Sequence, residues 1–344
     1  MRKLLIAAGA AGAISTGSWA AAQTEITIAV PEPQSVRLAA QAFADHIEAA
    51  TDGELSVRIL IHDAIGGARA ATDQMRLGEL QFNFADAGGY AGILPDFQVF
   101  SWPFLFPSRS VFYELMLDAD YVEGLNDFVA DRTDDTLKFF GAGENSIRHI
   151  YTTRGPIATP ADLAENRIVM RTRELTLDQQ LFAALGAPQV VALPAPERYS
   201  ALQTGMIDGT EGGLESAWAA GLLEVSPYVT LTGHAYDYFF LMGDAAFYDG
   251  LSDDQKSAVD EAARLMMWVN HGHKITAEAE VLEQIREAGI TVVAPTPTQL
   301  AEWQALAMPV GESVVSQIVD EDFKDATLAA IERVQANLDR RAGR

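Results

Sequence analysis

The sequence predicts an α/β protein built as two lobes, and three observations carry this. Short apolar segments of period two alternate with helical patterns from residue 25 onward, the βαβ signature of a largely parallel sheet. The length, 344 residues, exceeds what a single hydrophobic core usually serves. A capping box at Ser252–Gln255 opens a helical pattern with no breaker except Gly272 until Gly289. At ~1.5 Å per residue that helix would run about 50 Å, enough to lie across two lobes. No internal repeat, low-complexity tract or long linker separates the parts, so the lobes are predicted to be woven by several chain crossings.

The elements follow in order. Residues 1–22, "MRKLLIAAGAAGAISTGSWAAA", read as a secretory signal. Arg2 and Lys3 form the positive end, Leu4 to Ile14 the apolar stretch, and Ala20-Ala21-Ala22 the small residues before cleavage. "EITIAV" (25–30) is a strand. Ser35 is placed to cap a helix running to about Ala50, with Phe43 and Ile47 on one face and Thr51-Asp52-Gly53 as its stop. "ELSVRILI" (54–61) alternates as a half-buried strand. A short helix ends near Gly78, and "LQFNFA" (80–85) is a third strand. "TPADL" (159–163) places Thr159 as a cap, Pro160 at the first helical position and Asp162 in the first turn. "TPTQL" (296–300) repeats the device. "ERYSALQTGMIDGTEGG" (197–213) gives a helix ended by Gly205, a short strand "MIDG" and a loop. Loops beyond strand ends are where parallel sheets bind ligands.

Composition narrows the function. Apolar residues at 49% and charged residues at 21% mark a globular chain. A net charge of −24 argues against nucleic acid as partner. The absence of cysteine excludes disulfides, a thiolate nucleophile and zinc–thiolate sites. No apolar run after the signal approaches the ~18 residues of a membrane helix. No HExxH, GxSxG, Walker or GxGxxG motif occurs in the mature chain. His271 and His273 fall on different faces of the predicted helix, so no metal site and no cofactor is expected.

Against this acidic background, residues 148–173 hold five arginines (148, 154, 167, 171 and 173) and two acids, a local balance of +3. "RIVMR" reads as a strand with Arg167, Val169 and Arg171 on one face, and Arg173 can continue it. A helix from about Leu175 to Leu185 follows. An arginine fork at a strand end before a helix N-terminus suits a carboxylate. Charge balance against surface acids is the competing reading. "ADAGGYAG" (85–92) follows a strand, and its glycines allow close approach to a ligand with Tyr90 as a pocket wall. A tight turn is the alternative there. "FSWPFLFP" (100–107) is read as a kinked core segment.

These motifs together resemble the solute-binding proteins of tripartite ATP-independent periplasmic (TRAP) transporters. "IRHIYTTRGPIATPADL", "RIVMRT" with "LGA" at 185–187, and "ERYSALQTGMIDGTE" are similar to the family's ordered signatures. "DGELSVRIL", "MRLGELQFNFADAGGYAG" and "PDFQVFSWPFLFPSRS" match in order and spacing in the N-terminal half. The resemblance covers nearly all of the mature chain. It implies a two-lobed α/β periplasmic binding protein, with a mixed, mainly parallel sheet in each lobe and the long helix bridging both. The lobes are expected at 23–146 plus 236–275 and at 147–235 plus 276–344. The implied role is capture of a carboxylate-containing organic acid by domain closure, and its delivery to the sodium-coupled permease subunits of the membrane. The protein is expected in the periplasm, as a monomer and not an enzyme. An exported hydrolase, or a binding protein feeding a membrane sensor, are the alternatives.

The resemblance places the family's carboxylate-binding arginine at Arg171, counted back from "LGA", and a second arginine at Arg148. Arg173 has no clear counterpart. Glu211, Gly212, Tyr90, Tyr236 and Glu32 complete the candidate set. Counted from "PADL", two extra residues would put Val169 at the arginine position, but valine cannot pair with an anion. Gly212 and Gly213 stand where many relatives carry Asn-Pro, and Ala195 stands where an aromatic is common. These small residues predict a roomier pocket, suited to a bulkier acid.

Overall fold

The computed structural model describes residues 23–343, and the predicted export signal lies outside them. Nine strands form one mixed sheet among the described residues. They are β1 (Thr24–Val30), β2 (Leu55–Ile61), β3 (Phe82–Ala85), β4 (Leu137–Thr152), β5 (Val169–Thr172), β6 (Gln189–Ala192), β7 (Gly209–Gly212), β8 (Tyr228–Asp244) and β9 (Thr291–Val293). The order is β2-β1-β3-β8-β4-β7-β5-β6, with β9 beside β8. β1 pairs in parallel with β2 and β3 at one end, and β5 with β6 and β7 at the other. The long antiparallel pair β4–β8 joins the ends, with irregular register between Phe139 and Gly141, Glu144 and Ser146, and Arg148 and Ile150.

Helix Asp253–Glu287 forms as its sequence predicts. Ser252 Oγ accepts from the Gln255 backbone N–H, the Gln255 side chain returns the bond, and Gly272 is carried inside. Its first half packs Val259, Ala262 and Met266 against Ile28, Phe43, Phe84 and Leu241 at the β1–β3 end. Its last turns place Val281 and Ile285 with Tyr151, Ile207 and Leu222 at the β7 end. One rigid element therefore serves a core at each end of the sheet. "FSWPFLFP" supplies buried Phe100 and Phe106 to the core, with the chain kinked at Phe104, φ +57°.

Four local expectations are corrected. Helix Gln34–Ala50 is preceded by Pro33 at its cap, and Ser35 instead bonds Glu215, 180 residues away. Helix Ala161–Glu165 is capped in reverse: the Asp162 carboxylate accepts from the backbone N–H groups of Ala158 and Thr159, at 2.7 and 2.8 Å. "MIDG" is not the strand; β7 begins at Gly209, because the Asp208 N–H and carboxylate are spent holding Val169. Arg167 is an exposed left-handed turn residue, φ +50°, and does not share a strand face with Arg171.

Candidate functional site

Four adjacent strands bring the arginines together near the middle of the sheet. β4 carries Arg148, β5 carries Arg171 with Arg173 just beyond its end, β7 carries Glu211 and Gly212, and β8 carries His234 and Asp237. Period-two alternation puts Met170 into the apolar core and Arg171 on the opposite face.

Arg148 and Arg173 are saturated by acids. The Arg148 guanidinium donates to Glu211 and Asp237. Arg173 donates to Asp178 at 2.7 Å, to Asp237 at 3.0 Å and to Asp86 at 3.3 Å. Asp237 thus bridges the two arginines. Burial pushes Arg173 down, but Asp178, Asp237 and Asp86 outweigh it and hold its pKa well above the usual value. Burial likewise pushes Glu211 up, but Arg148 and His234 hold it well below the carboxylate range. Asp237 goes the other way: burial raises it in spite of Arg173 and Arg148.

Arg171 differs in kind. It is 3% exposed, and its guanidinium donates to the Leu193 carbonyl, by Nε at 2.8 Å and again by Nη2. It forms no ion pair with an acid among the described residues. Burial, and then the neighbouring Arg198, push its pKa down to about 9. Arginine stays protonated at neutral pH, so the direction of the shift reflects a buried positive charge that Glu211 offsets only in part.

The structure sorts the remaining candidates. Tyr90 is a core residue and not a free pocket wall: it is fully buried, and its hydroxyl donates to the carbonyls of Asn83 and Phe240. Glu32 is exposed and lies 3.8 Å from Arg37. Tyr236 is half-buried, stacks on Tyr238 and neighbours Arg109 and Glu144 instead of Arg171. Gly212 does reach the cluster. Its backbone has φ +152°, and its carbonyl accepts from the Tyr151 hydroxyl.

The space beside Gly213 is taken up by Ser146, whereas that beside Gly212 is bounded by an ordinary contact. A Cβ on Gly213 would stand 2.2 Å from Ser146 Cβ and Oγ, and one on Gly212 would stand 3.6 Å from Arg198 Nη1. Gly213→Ala is therefore expected to destabilise the fold by about 1–3 kcal/mol. Gly213→Ala with Ser146→Gly should restore most of that, since the nearest remaining Ser146 atom, Cα, is at 3.7 Å. Urea denaturation of both variants checks it, and equal stability of the single variant and the parent would refute the close contact.

Sequence reasoning missed Arg198, the acids Asp86, Asp178 and Asp237, and Ser146. Arg198 lies inside a quoted motif, but its partner position, Gly212, becomes visible only in three dimensions. An open cavity of about 800 Å³ lies elsewhere, lined by Met116, Leu117, Met267 and Trp268. Of its two arginines, Arg109 is paired with Glu144 and Glu278, and Arg264 lies on the long helix. No group of three or more His, Asp or Glu residues able to hold a metal occurs among the described residues, and no helix there is long and apolar enough to cross a membrane.

Comparison with known proteins identifies the family. The family described as bacterial extracellular solute-binding protein, family 7, matches residues 27–317. The chain is 29% identical over 283 residues to the 2,3-diketo-L-gulonate-binding periplasmic protein YiaO of Escherichia coli, covering 82% of this chain and 84% of that protein. It is 28% identical to the ectoine-binding periplasmic protein TeaA of Halomonas elongata, over 86% of each. The sugar acid binding protein DctPAm of Advenella mimigardefordensis, solved with galactonate, superposes with a TM-score of 0.84 at 23% identity, over 91% of this chain and 99% of that one. A TRAP periplasmic solute-binding protein from Bordetella bronchispeptica, with density interpreted as pantoate, gives 0.79 at 25% identity, over 88% and 98%. These structures share the two-lobed α/β fold, and the relatives are binding proteins, not enzymes. The chain belongs to the bacterial extracellular solute-binding proteins of family 7, the TRAP type.

Proposed function

We propose that this protein captures an organic acid in the periplasm, between lobes that close on it, with Arg171 as the carboxylate clamp, and hands it to a sodium-coupled permease. The observation that carries this reading is Arg171 itself: a buried guanidinium without an acid partner, beside two arginines that have several. Arg148 and Arg173 act as positioning residues that fix the strand ends through Asp237. Glu211 Oε1, Asn145 Oδ1 and Ser146 Oγ are buried without hydrogen-bond partners among the described residues. Buried polar atoms are normally satisfied, and solute hydroxyls would satisfy these, which favours a hydroxylated acid. The lobes take the boundaries 23–146 plus 236–275 and 147–235 plus 276–344. The register shifts between β4 and β8 lie along the crossing between the proposed lobes.

The test is a thermal-shift screen of the purified mature chain against hydroxy acids, sugar acids, keto acids and the matching neutral sugars. A true solute at 100-fold its Kd stabilises by about 2.7 kcal/mol. Stabilisation by the neutral sugars and by none of the acids would overturn the proposal. Delivery is tested by uptake into vesicles carrying the permease, which should need both this protein and a sodium gradient.

A further inference from the structure

The long helix, Asp253–Glu287, buries one face against the cores at both ends of the sheet and leaves the opposite face open. That open face is not polar. Of the nine large apolar side chains left exposed among the described residues, three lie on it: Leu265, Trp268 and Ile275, at 37%, 61% and 53% exposure. With Gly272 they keep the 3-4-3 spacing of a coiled-coil seam. Nothing inside the chain requires Gly272. A Cβ there would meet nothing within 4 Å, and glycine weakens a helix relative to alanine.

The four positions are spaced evenly about one centre. Leu265 and Ile275 each stand five residues from Asn270, and Trp268 and Gly272 each stand two. A twofold axis at that level, with two such helices antiparallel, sets Leu265 against Ile275 of the other copy. It also drops Trp268 into the notch that Gly272 of the other copy leaves. The surface thus complements itself, as a twofold dimer requires. The flank agrees in charge. Arg264, exposed and without an ion pair among the described residues, and Glu278, 24% exposed, stand seven residues either side of 271. In the same register Arg264 of each copy meets Glu278 of the other. The cavity of about 800 Å³ between the long helix and Leu117 gives the flank of the second helix a place to settle. The area is also sufficient. At about 200 Å² for a whole large side chain, Leu117, Leu265, Trp268 and Ile275 expose about 400 Å² per copy. Two copies would bury about 800 Å² of apolar surface, which at the ~65% apolar share of homodimer interfaces corresponds to about 1,200 Å² in all, within the range of specific interfaces.

We infer that this face of the long helix binds a second copy of the chain, making an antiparallel twofold dimer centred at the level of Asn270, where the family resemblance implies a monomer. The inference is independent of the reading of the solute site, because none of these residues belongs to the arginine cluster. Both copies are acidic, so long-range repulsion opposes the dimer and salt should strengthen it.

The experiment is light scattering on the purified mature chain at about 100 μM, above the micromolar Kd expected of a small interface. The parent should show twice the mass of one chain, and more completely in about 500 mM salt than in about 50 mM. Trp268→Glu and Gly272→Leu, both at exposed positions, should be monomeric, with the circular dichroism of the parent showing that they fold. The natural chain has no cysteine, so oxidation of engineered thiols reads the register. Leu265→Cys mixed with Ile275→Cys should give a disulfide-linked pair of chains. Either variant alone should not, because its two thiols would lie about 15 Å apart along the seam. A parent that stays monomeric, a dimer that Trp268→Glu leaves intact, a dimer that salt dissolves, or a thiol variant that links to itself as readily as the mixture links overturns the inference. A monomeric parent whose solute uptake falls in Trp268→Glu also overturns it, and assigns the face to the membrane subunits.

Discussion

Arg171→Gln is expected to weaken solute binding by about 30-fold or more, because truncating one partner of a buried, hydrogen-bonded charge pair typically costs 2–5 kcal/mol. Glutamine keeps a donor for the Leu193 carbonyl and nearly fills the same volume, so the loop after β6 should hold its place. What it removes is the charge and the second arm of the fork. On the proposed reading, the solute carboxylate in the parent neutralises a guanidinium that burial and Arg198 push down to about 9. In the variant the carboxylate would be desolvated against a neutral amide, and that desolvation is no longer repaid. Calorimetry on the solute found in the screen measures the effect. The melting temperature without solute should stay close to that of the parent, whereas the solute-induced shift should vanish. An affinity within twofold of the parent would remove Arg171 from the site. Arg148→Gln is a contrasting control: it strands Glu211 and Asp237, so its damage should reach stability as well as binding.

Much of the fold was legible in the sequence because its signals are local. Period-two segments gave β1 to β3, and the box at Ser252 gave the long helix to within a residue or two of its ends. The local pattern does not predict the long strands β4 and β8. Residues such as those of "GAGENSIRH" break the alternation where the register with β8 shifts. Arg171 could be picked out from spacing, but its unequal standing beside Arg148 and Arg173 could not. That inequality depends on Asp86, Asp178 and Asp237, which three distant segments deliver to one place. Ser35 failed as a predicted cap for a related reason. A serine at a helix start is a good cap in isolation, yet here its hydroxyl has a stronger partner in the Glu215 carboxylate.

That contact leads to the other large effect. Glu215, in helix Leu214–Ala219 directly after Gly212 and Gly213, accepts from the Ser35 backbone N–H at 3.0 Å and from the Ser35 hydroxyl at 2.8 Å. It also accepts from Lys274 of the long helix at 2.5 Å. Ser35 follows β1 at one end of the sheet, and Glu215 follows β7 near the other, so one carboxylate ties the two ends together across the long helix. Glu215→Ala would leave the Lys274 ammonium, 3% exposed, buried without its partner. Breaking such a pair costs about 3–5 kcal/mol in a fold that cannot yield. A protein whose lobes close on solute, as proposed, would yield by opening and hydrating Lys274. The loss should therefore appear as a shift toward the open form and weaker solute binding, by about tenfold or more. Glu215→Gln, which keeps acceptor and donor atoms, should show less. Small-angle scattering with solute should detect the open fraction, and equal affinity and equal compactness in Glu215→Ala would refute the tie. The pH dependence has a definite sign. Burial pushes Glu215 up, but Lys274 and Ser35 outweigh it, so its folded pKa lies below the ordinary 4.5. Its contribution is complete above that ordinary value and is lost as pH falls through the lower folded value. The parent should hold its closed form at neutral and mildly acidic pH and lose this contribution only in stronger acid, a loss that Glu215→Gln should not show.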